Sequence, residues 1–374
     1  MAGAKSGNFR ELISPFLKDK IREAEQSGDQ ASVNALLMQY RRDSREDDIT
    51  ELERRRHYES ELSIEFEGEP LVGVERLYRR TILIEPTTVC AAHCRWCLRG
   101  QYPVKTMYKD DIARAARYVG SAAVRDDIRE VLITGGDPLM SRPLLAHTIE
   151  QLVSHAENIR IVRIGSRVPF QDPQRINEEM IAVFNRYPQL RFEVGVNVNH
   201  PVEFWPESTE ALKRLRDAGV RLYNQNPLLK GVNDNKQVLF DLFGALRDHD
   251  IEAHYLFHAI PMRGMRHHRT TVEEGLRLAT LISSSGEFSG RSKPRYALLS
   301  DIGKIVLFHD SIVARRDEDN AILVRSGFSL NERLKWNPAW TMPRETVIDN
   351  EGLMMTWYQD VEPETSRSVL KAVS

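Results

Sequence analysis

Cysteine is scarce in this chain. Only three occur in 374 residues, and Cys90, Cys94 and Cys97 fall within eight positions. An odd, tightly spaced set does not suit a stapled secreted domain and reads instead as thiols used as ligands. Long apolar runs are missing too. No stretch of about 18 uncharged apolar residues occurs, and the opening MAGAKSGNFRELISPFLKDKIREAEQ has no apolar leader core. A spanning helix and a secretory signal are therefore not expected, and a cytoplasmic location is. An excess of one charge is also absent, with 52 Lys and Arg against 54 Asp and Glu. That balance argues against nucleic acid or an anionic membrane as partner. What is there is an ordinary globular composition, 41% hydrophobic and 28% charged, on a chain long enough for one large core with appendages.

Residues 1–66 are dense in charge and helix formers and show no strand-like alternation, which predicts a helical N-terminal region. Its expected role is a solvated helical cap or a surface for forming a homo-oligomer. From residue 81 the pattern changes to short β-rich runs: TILIEP, EVLITGG, RIVRIGSR, RFEVGVNVN, VRLYNQNPL and EAHYLFHAI, with amphipathic segments between them. Parallel strands need crossover connections, so six such units over 67–290 predict a parallel sheet with helices outside, closing into a partial (β/α)6 barrel. Chemistry in such sheets gathers at the C-terminal strand ends. After about residue 290 the alternation is expected to stop. The segments KIVLFHDSIVARRDEDNAILVRSGF and ETVIDNEGLMMTWYQD read as hairpins, making 291–374 a β-rich cover over the barrel's open end.

The run PTTVCAAHCRWC follows the first predicted strand with spacing C-x3-C-x2-C. Three thiolates from one loop can cap three irons of a cubane and leave the fourth without a protein ligand. Zinc is the alternative, with His93 inside the loop as a candidate fourth ligand. At the end of the second strand, LITGGDPL places Gly135, Gly136 and Asp137 in a turn where glycines let backbone approach a ligand and leave amides to meet its polar groups.

Together these motifs resemble the radical S-adenosylmethionine (SAM) superfamily. The resemblance implies a TIM-like radical SAM barrel, a [4Fe-4S] cluster on Cys90, Cys94 and Cys97, SAM chelated to the open iron, and release of a 5'-deoxyadenosyl radical. It also implies an external electron donor, because no cysteines remain for a second cluster. More narrowly, ERLYRR, VLITGGDPLM, IVRIGSRVP, VNVNHPVEF, YNQNPLLKGVND and NEGLMMTWYQ are similar in order and spacing to the lysine 2,3-aminomutase family. In that family SAM shares one site with pyridoxal 5'-phosphate (PLP), and an amino group moves between adjacent carbons of an amino acid.

The resemblance carries over residue by residue. Arg76 and Arg80 occupy the positions of two arginines that hold the PLP phosphate, a role suited to bidentate guanidinium donors. Arg99 stands where the family binds the substrate carboxylate. Gly135, Gly136, Asp137, Ser166, Arg167, Asn197, His200 and Gln225 are the candidates for the SAM and cofactor pocket, although His200, preceding a proline, could equally cap its strand. Lys304, in SDIGKIVLF, is the candidate PLP lysine, with Lys335 in LKWNPAW as the alternative.

The family recognises the distal ammonium of lysine with two aspartates. Ile260 falls at the first position and Asp301 at the second, while His258, Arg263 and Arg266 lie nearby. An α-amino acid other than lysine is therefore the expected small-molecule substrate. Two other outcomes stay open: a PLP-free radical deaminase or dehydratase, and an aminomutase supplying a β-amino acid for translation-factor modification.

Overall fold

A computed structural model of the chain describes residues 10–48, 64–76, 78–98, 106–288, 290–308 and 310–361. A short hairpin, β1 (Glu65–Phe66) and β2 (Glu69–Pro70), precedes the main sheet. The nine strands of that sheet are β3 (Val74–Glu75), β4 (Thr81–Thr87), β5 (Glu130–Gly135), β6 (Ile161–Ser166), β7 (Arg191–Val196), β8 (Arg221–Leu228), β9 (Glu252–His258), β10 (Arg295–Ser300) and β11 (Gly303–Val306). They lie in sequence order across the sheet. β4 to β10 are parallel, and β3 and β11 close the two edges antiparallel. The two edges are not paired with each other among the described residues, so the barrel is partial.

Six helices make the crossovers: Lys109–Gly120, Arg142–His155, Glu178–Asn185, Pro206–Asp217, Lys236–Asp248 and Val272–Ser284. Their starts are set locally, since Asn177, Asn235 and Thr271 each accept an amide of the first turn that has no partner within its helix. The strands alternate in burial. On β5, Val131 and Ile133 are fully buried beneath the helices, whereas Glu130, Leu132 and Thr134 face the barrel lumen. All six expected strands form. The alternation does not stop at residue 290, however: Arg295–Ser300 adds a seventh parallel strand beside β9, and the sheet runs on to Val306.

The C-terminal part forms a separate antiparallel sheet, order β12 (Ile312–Arg316), β13 (Ala321–Ser329), β15 (Leu353–Gln359), β14 (Thr346–Ile348). It is tied to the β9–β11 side of the barrel. Arg333 donates to the Ile302 carbonyl, Arg269 to the Gln359 carbonyl, and the Asp360 carboxylate caps the helix at Val272. At the other end, helices α1 (Pro15–Ser27) and α2 (Gln30–Tyr40) form a hairpin. Leu17, Tyr40 and Ala92 share an apolar cluster with Phe16 and Trp205. The hairpin therefore packs its buried face on the loop that carries the cysteines, which a merely solvated cap would not do.

Candidate active site

The cysteine loop leaves the C-terminal end of β4. Its backbone is held from outside by the Leu12 carbonyl, which accepts from His93 N–H at 2.8 Å, and the Gln39 carbonyl, which accepts from Arg95 N–H at 2.9 Å; within the loop Cys97 N–H donates to the Cys94 carbonyl at 3.0 Å. Burial pushes the Cys90 thiol up, and the neighbouring Asp137, Cys97 and Cys94 add to it. Cys94 Sγ accepts from Arg167 Nη1 at 3.1 Å and from Gln171 Nε2 at 3.4 Å. A sulfur with two N–H donors, one of them cationic, has the surroundings of a metal-ligating sulfur. The donor set fits a [4Fe-4S] cluster, in which each thiolate takes a different iron. Zinc requires convergence on one point. Among the described residues no group of three or more His, Cys, Asp or Glu is so arranged, and His93 directs Nδ1 to the Arg10 carbonyl at 2.7 Å.

The glycine turn does something other than expected. Gly136 N–H donates to the Thr87 carbonyl at 2.6 Å and Asp137 N–H to the Val89 carbonyl at 2.7 Å. These amides seat the cysteine loop and are not left for a ligand. The approach demands glycine: a Cβ at Gly136 would lie 2.4 Å from the Val89 carbonyl oxygen, and Gly135 sits at φ +112°. The buried Asp137 carboxylate accepts from Ser166 Oγ and from the amides of Leu139, Arg167 and Val168. Asp137 and Ser166 thus join the ends of β5 and β6. Burial raises the Asp137 pKa against these hydrogen bonds, which lower it.

Arg167 is buried behind Cys94. Its Nη2 meets Glu203 at 2.5 Å and Gln39 Oε1 at 3.1 Å, with the Tyr40 and Trp96 rings 5.2 and 5.3 Å away. Gln39 and Glu203 were not among the sequence candidates. Glu203 stands in the NHPVE segment and carried a weak signal; Gln39 carried none. His200 Nδ1 accepts the Val202 amide at 3.2 Å, the local cap its position before proline allows. Asn197 donates to the Gln225 carbonyl at 2.8 Å.

Lys304 projects from β11 into the lumen. Its Nζ makes a long hydrogen bond to Gln225 Oε1 at 3.5 Å and lies 5.4 and 5.3 Å from the Tyr255 and Phe257 ring centroids. No carboxylate pairs with it among the described residues, and burial, followed by the positive charge of Arg163, pushes its pKa down to about 8. Arg163, a lumen residue the sequence reading passed over, binds Tyr223 Oη at 3.0 Å and Glu130 at 2.9 Å. His254, beside them, is lowered to about 4 by burial and then by Arg163 and Lys304. Lys335 is exposed and paired with Glu332 on its own helix, so only Lys304 of the two candidate lysines faces the lumen.

The two candidate phosphate arginines part company. Arg76 is buried, with its Nη atoms on the carbonyls of Trp336 and Arg79 and on Asp127, whereas Arg80 is exposed. Tyr78, between them, accepts the Lys304 amide at 3.1 Å. Ile260 and Asp301 share a cavity of about 20 Å³ with Met262, Leu299 and Tyr358, room for about one water. His258 is enclosed, with Nδ1 2.7 Å from Tyr296 Oη, and Arg266 is exposed. Neither these two nor the half-buried Arg263 lines that cavity. Arg99 lies outside the described residues.

A partial parallel barrel with three closely spaced cysteines on the loop after its first parallel strand defines a class, and residues 84–243 match the family model described as the radical SAM superfamily. Over those residues the chain is similar to that superfamily. The chain is also similar to lysine 2,3-aminomutases. It is 33% identical over 237 residues to an L-lysine 2,3-aminomutase of Methanococcus maripaludis, covering 63% of this chain and 53% of that one. For an L-lysine 2,3-aminomutase of Clostridium subterminale the identity is 32% over 233 residues, 61% of this chain and 54% of the relative. A glutamate 2,3-aminomutase of Clostridioides difficile is 30% identical over 227 residues, 61% and 53% of the two chains. The chain thus spans about half the length of these curated relatives.

Proposed function

We propose that this chain is a radical SAM enzyme that moves the amino group of an α-amino acid to the adjacent carbon, with PLP held at Lys304. The observation that carries the reading is Lys304 itself, a lumen lysine without a carboxylate partner among the described residues and with its pKa down to about 8. At pH 7 roughly one such amine in ten is neutral, against about one in three thousand at the ordinary value. Neutral amine is the form that condenses with an aldehyde. When bound, the cluster with SAM supplies a hydrogen-abstracting radical, and PLP supplies delocalisation of an unpaired electron.

The chain's own residues do the rest. Gln225 Oε1 orients the Lys304 amine, the Tyr255 and Phe257 rings lie beside it, and Arg99 is the proposed anchor of the substrate carboxylate. Ile260 and Asp301 lie at the distal end of the substrate. A lysine ammonium there would meet one carboxylate, with Ile260 and neutral side chains such as Ser300 and Thr356 for the rest, and an under-compensated buried ammonium costs several kcal/mol by order of magnitude. Relatives named for lysine and for glutamate both match this chain, so the likeness is compatible with a substrate other than lysine.

The test is anaerobic reconstitution with iron, sulfide and PLP, followed by borohydride and peptide mass spectrometry. A phosphopyridoxyl adduct on Lys304, and absorbance near the PLP Schiff-base band that disappears in Lys304→Met, are expected. A protein that takes up no PLP contradicts the reading. It would favour a PLP-free reaction on the same scaffold, a reading to which the exposure of Arg80 and the engagement of Arg76 lend some weight.

A further inference from the structure

Arg167 follows β6, and its buried guanidinium is engaged through both Nη atoms. Nη1 donates to Cys94 Sγ at 3.1 Å, and Nη2 meets Glu203 Oε2 and Gln39 Oε1. The Tyr40 and Trp96 rings flank the guanidinium, and Glu203, Gln39 and Asn199 are completely buried. Gln39 Oε1 also accepts from Asn199 Nδ2 at 2.8 Å, and its Nε2 donates to Glu203 Oε1 at 3.3 Å. Glu203 Oε1 takes the Asn199 and His200 amides at 2.9 and 3.0 Å. A chain of buried polar contacts therefore runs from a cluster ligand to the α1–α2 hairpin.

We propose that Arg167 tunes the cluster: its guanidinium raises the reduction potential by stabilising the extra negative charge of the reduced state, while Gln39 positions it and Glu203 moderates it. Hydrogen bonds and positive charge at a ligating sulfur favour the reduced cluster, and the aromatic flanks keep water from screening the effect. The hairpin is thereby part of the redox apparatus through Gln39 and Tyr40. The inference rests on Cys90, Cys94 and Cys97 holding an iron–sulfur cluster.

The experiment is a dithionite titration of the reconstituted full chain, read by electron paramagnetic resonance, with iron counted for each variant. Arg167→Met should shift the midpoint to more negative potential, and Arg167→Lys should lie between it and wild type. Glu203→Gln, which removes the compensating carboxylate at nearly unchanged volume and gives up one acceptor oxygen, should shift it to more positive potential. Opposite shifts are what a structural role alone would not produce. An unmoved midpoint in Arg167→Met at full iron content overturns the proposal, as does a shift of both variants in one direction. Should Arg167→Met not fold, the sign for Glu203→Gln and Arg167→Lys still decides. A wild-type protein that assembles no cluster removes the underlying reading instead.

Discussion

Replacing Lys304 by Met should make the cofactor-free protein more stable at neutral pH. The amine sits in the lumen with its pKa lowered from 10.5 to about 8, first by burial and then by Arg163. Each tenfold loss of proton affinity on folding corresponds to about 1.4 kcal/mol, so holding the charged form in the native state costs up to about 3 kcal/mol. The unfolded chain keeps its proton up to about pH 10.5, whereas the folded chain releases it near pH 8. Wild-type stability should therefore rise across that window relative to Lys304→Met. Methionine fills a similar volume without the charge. Guanidinium unfolding of both proteins at pH 7, 9 and 11 should show a gain of up to about 3 kcal/mol for the variant at pH 7, shrinking towards zero at pH 11. A variant that is less stable at pH 7, or a gain that ignores pH, would refute this reasoning. A lysine kept at a site where it destabilises the fold is what a functional amine requires.

Gly136→Ala should hinder cluster assembly with all three cysteines intact, since its Cβ would lie 2.4 Å from the Val89 carbonyl oxygen; reduced iron content after reconstitution and a loss of about 1–3 kcal/mol of stability are expected. Arg76→Met should lower Tm through the stranded carbonyls of Trp336 and Arg79, about 1–3 kcal/mol. Arg80→Ala, on the surface, should leave stability within about 0.5 kcal/mol and weaken PLP retention; full PLP occupancy would remove Arg80 from the phosphate site. In a panel of amino acids with SAM and reductant, lysine should not be the best substrate, read as β-isomer and as deuterium entering 5'-deoxyadenosine, and lysine turnover above every other member would sink that expectation.

The parts of this molecule set by local pattern were open to sequence reading. The six β-rich runs alternate with helices because each strand end feeds a crossover, and the C-x3-C-x2-C spacing states a ligand geometry within eight residues. β10 was missed because the stretch before it, SSSGEFSGRSKP, has the Gly, Ser and Pro content of a linker, and its own apolar run is short. The glycine turn was legible as a close approach but not as to what: only the fold brings the Thr87 and Val89 carbonyls to its amides. Gln39 could not have been foreseen. It lies 128 positions from Arg167, on a helix whose sequence announces only helix propensity. Arg163 and Glu130 are strand residues that look like solvent-facing charges, and they face a polar lumen instead.

Reductive cleavage of SAM by the Cys94→Ala protein tests the central claim most directly. Reconstituted wild type with dithionite should turn SAM into 5'-deoxyadenosine and methionine, and Cys94→Ala, with one ligand removed, should lose that activity together with the brown iron–sulfur chromophore. Cleavage by the variant at the wild-type rate would contradict the assignment of the three cysteines.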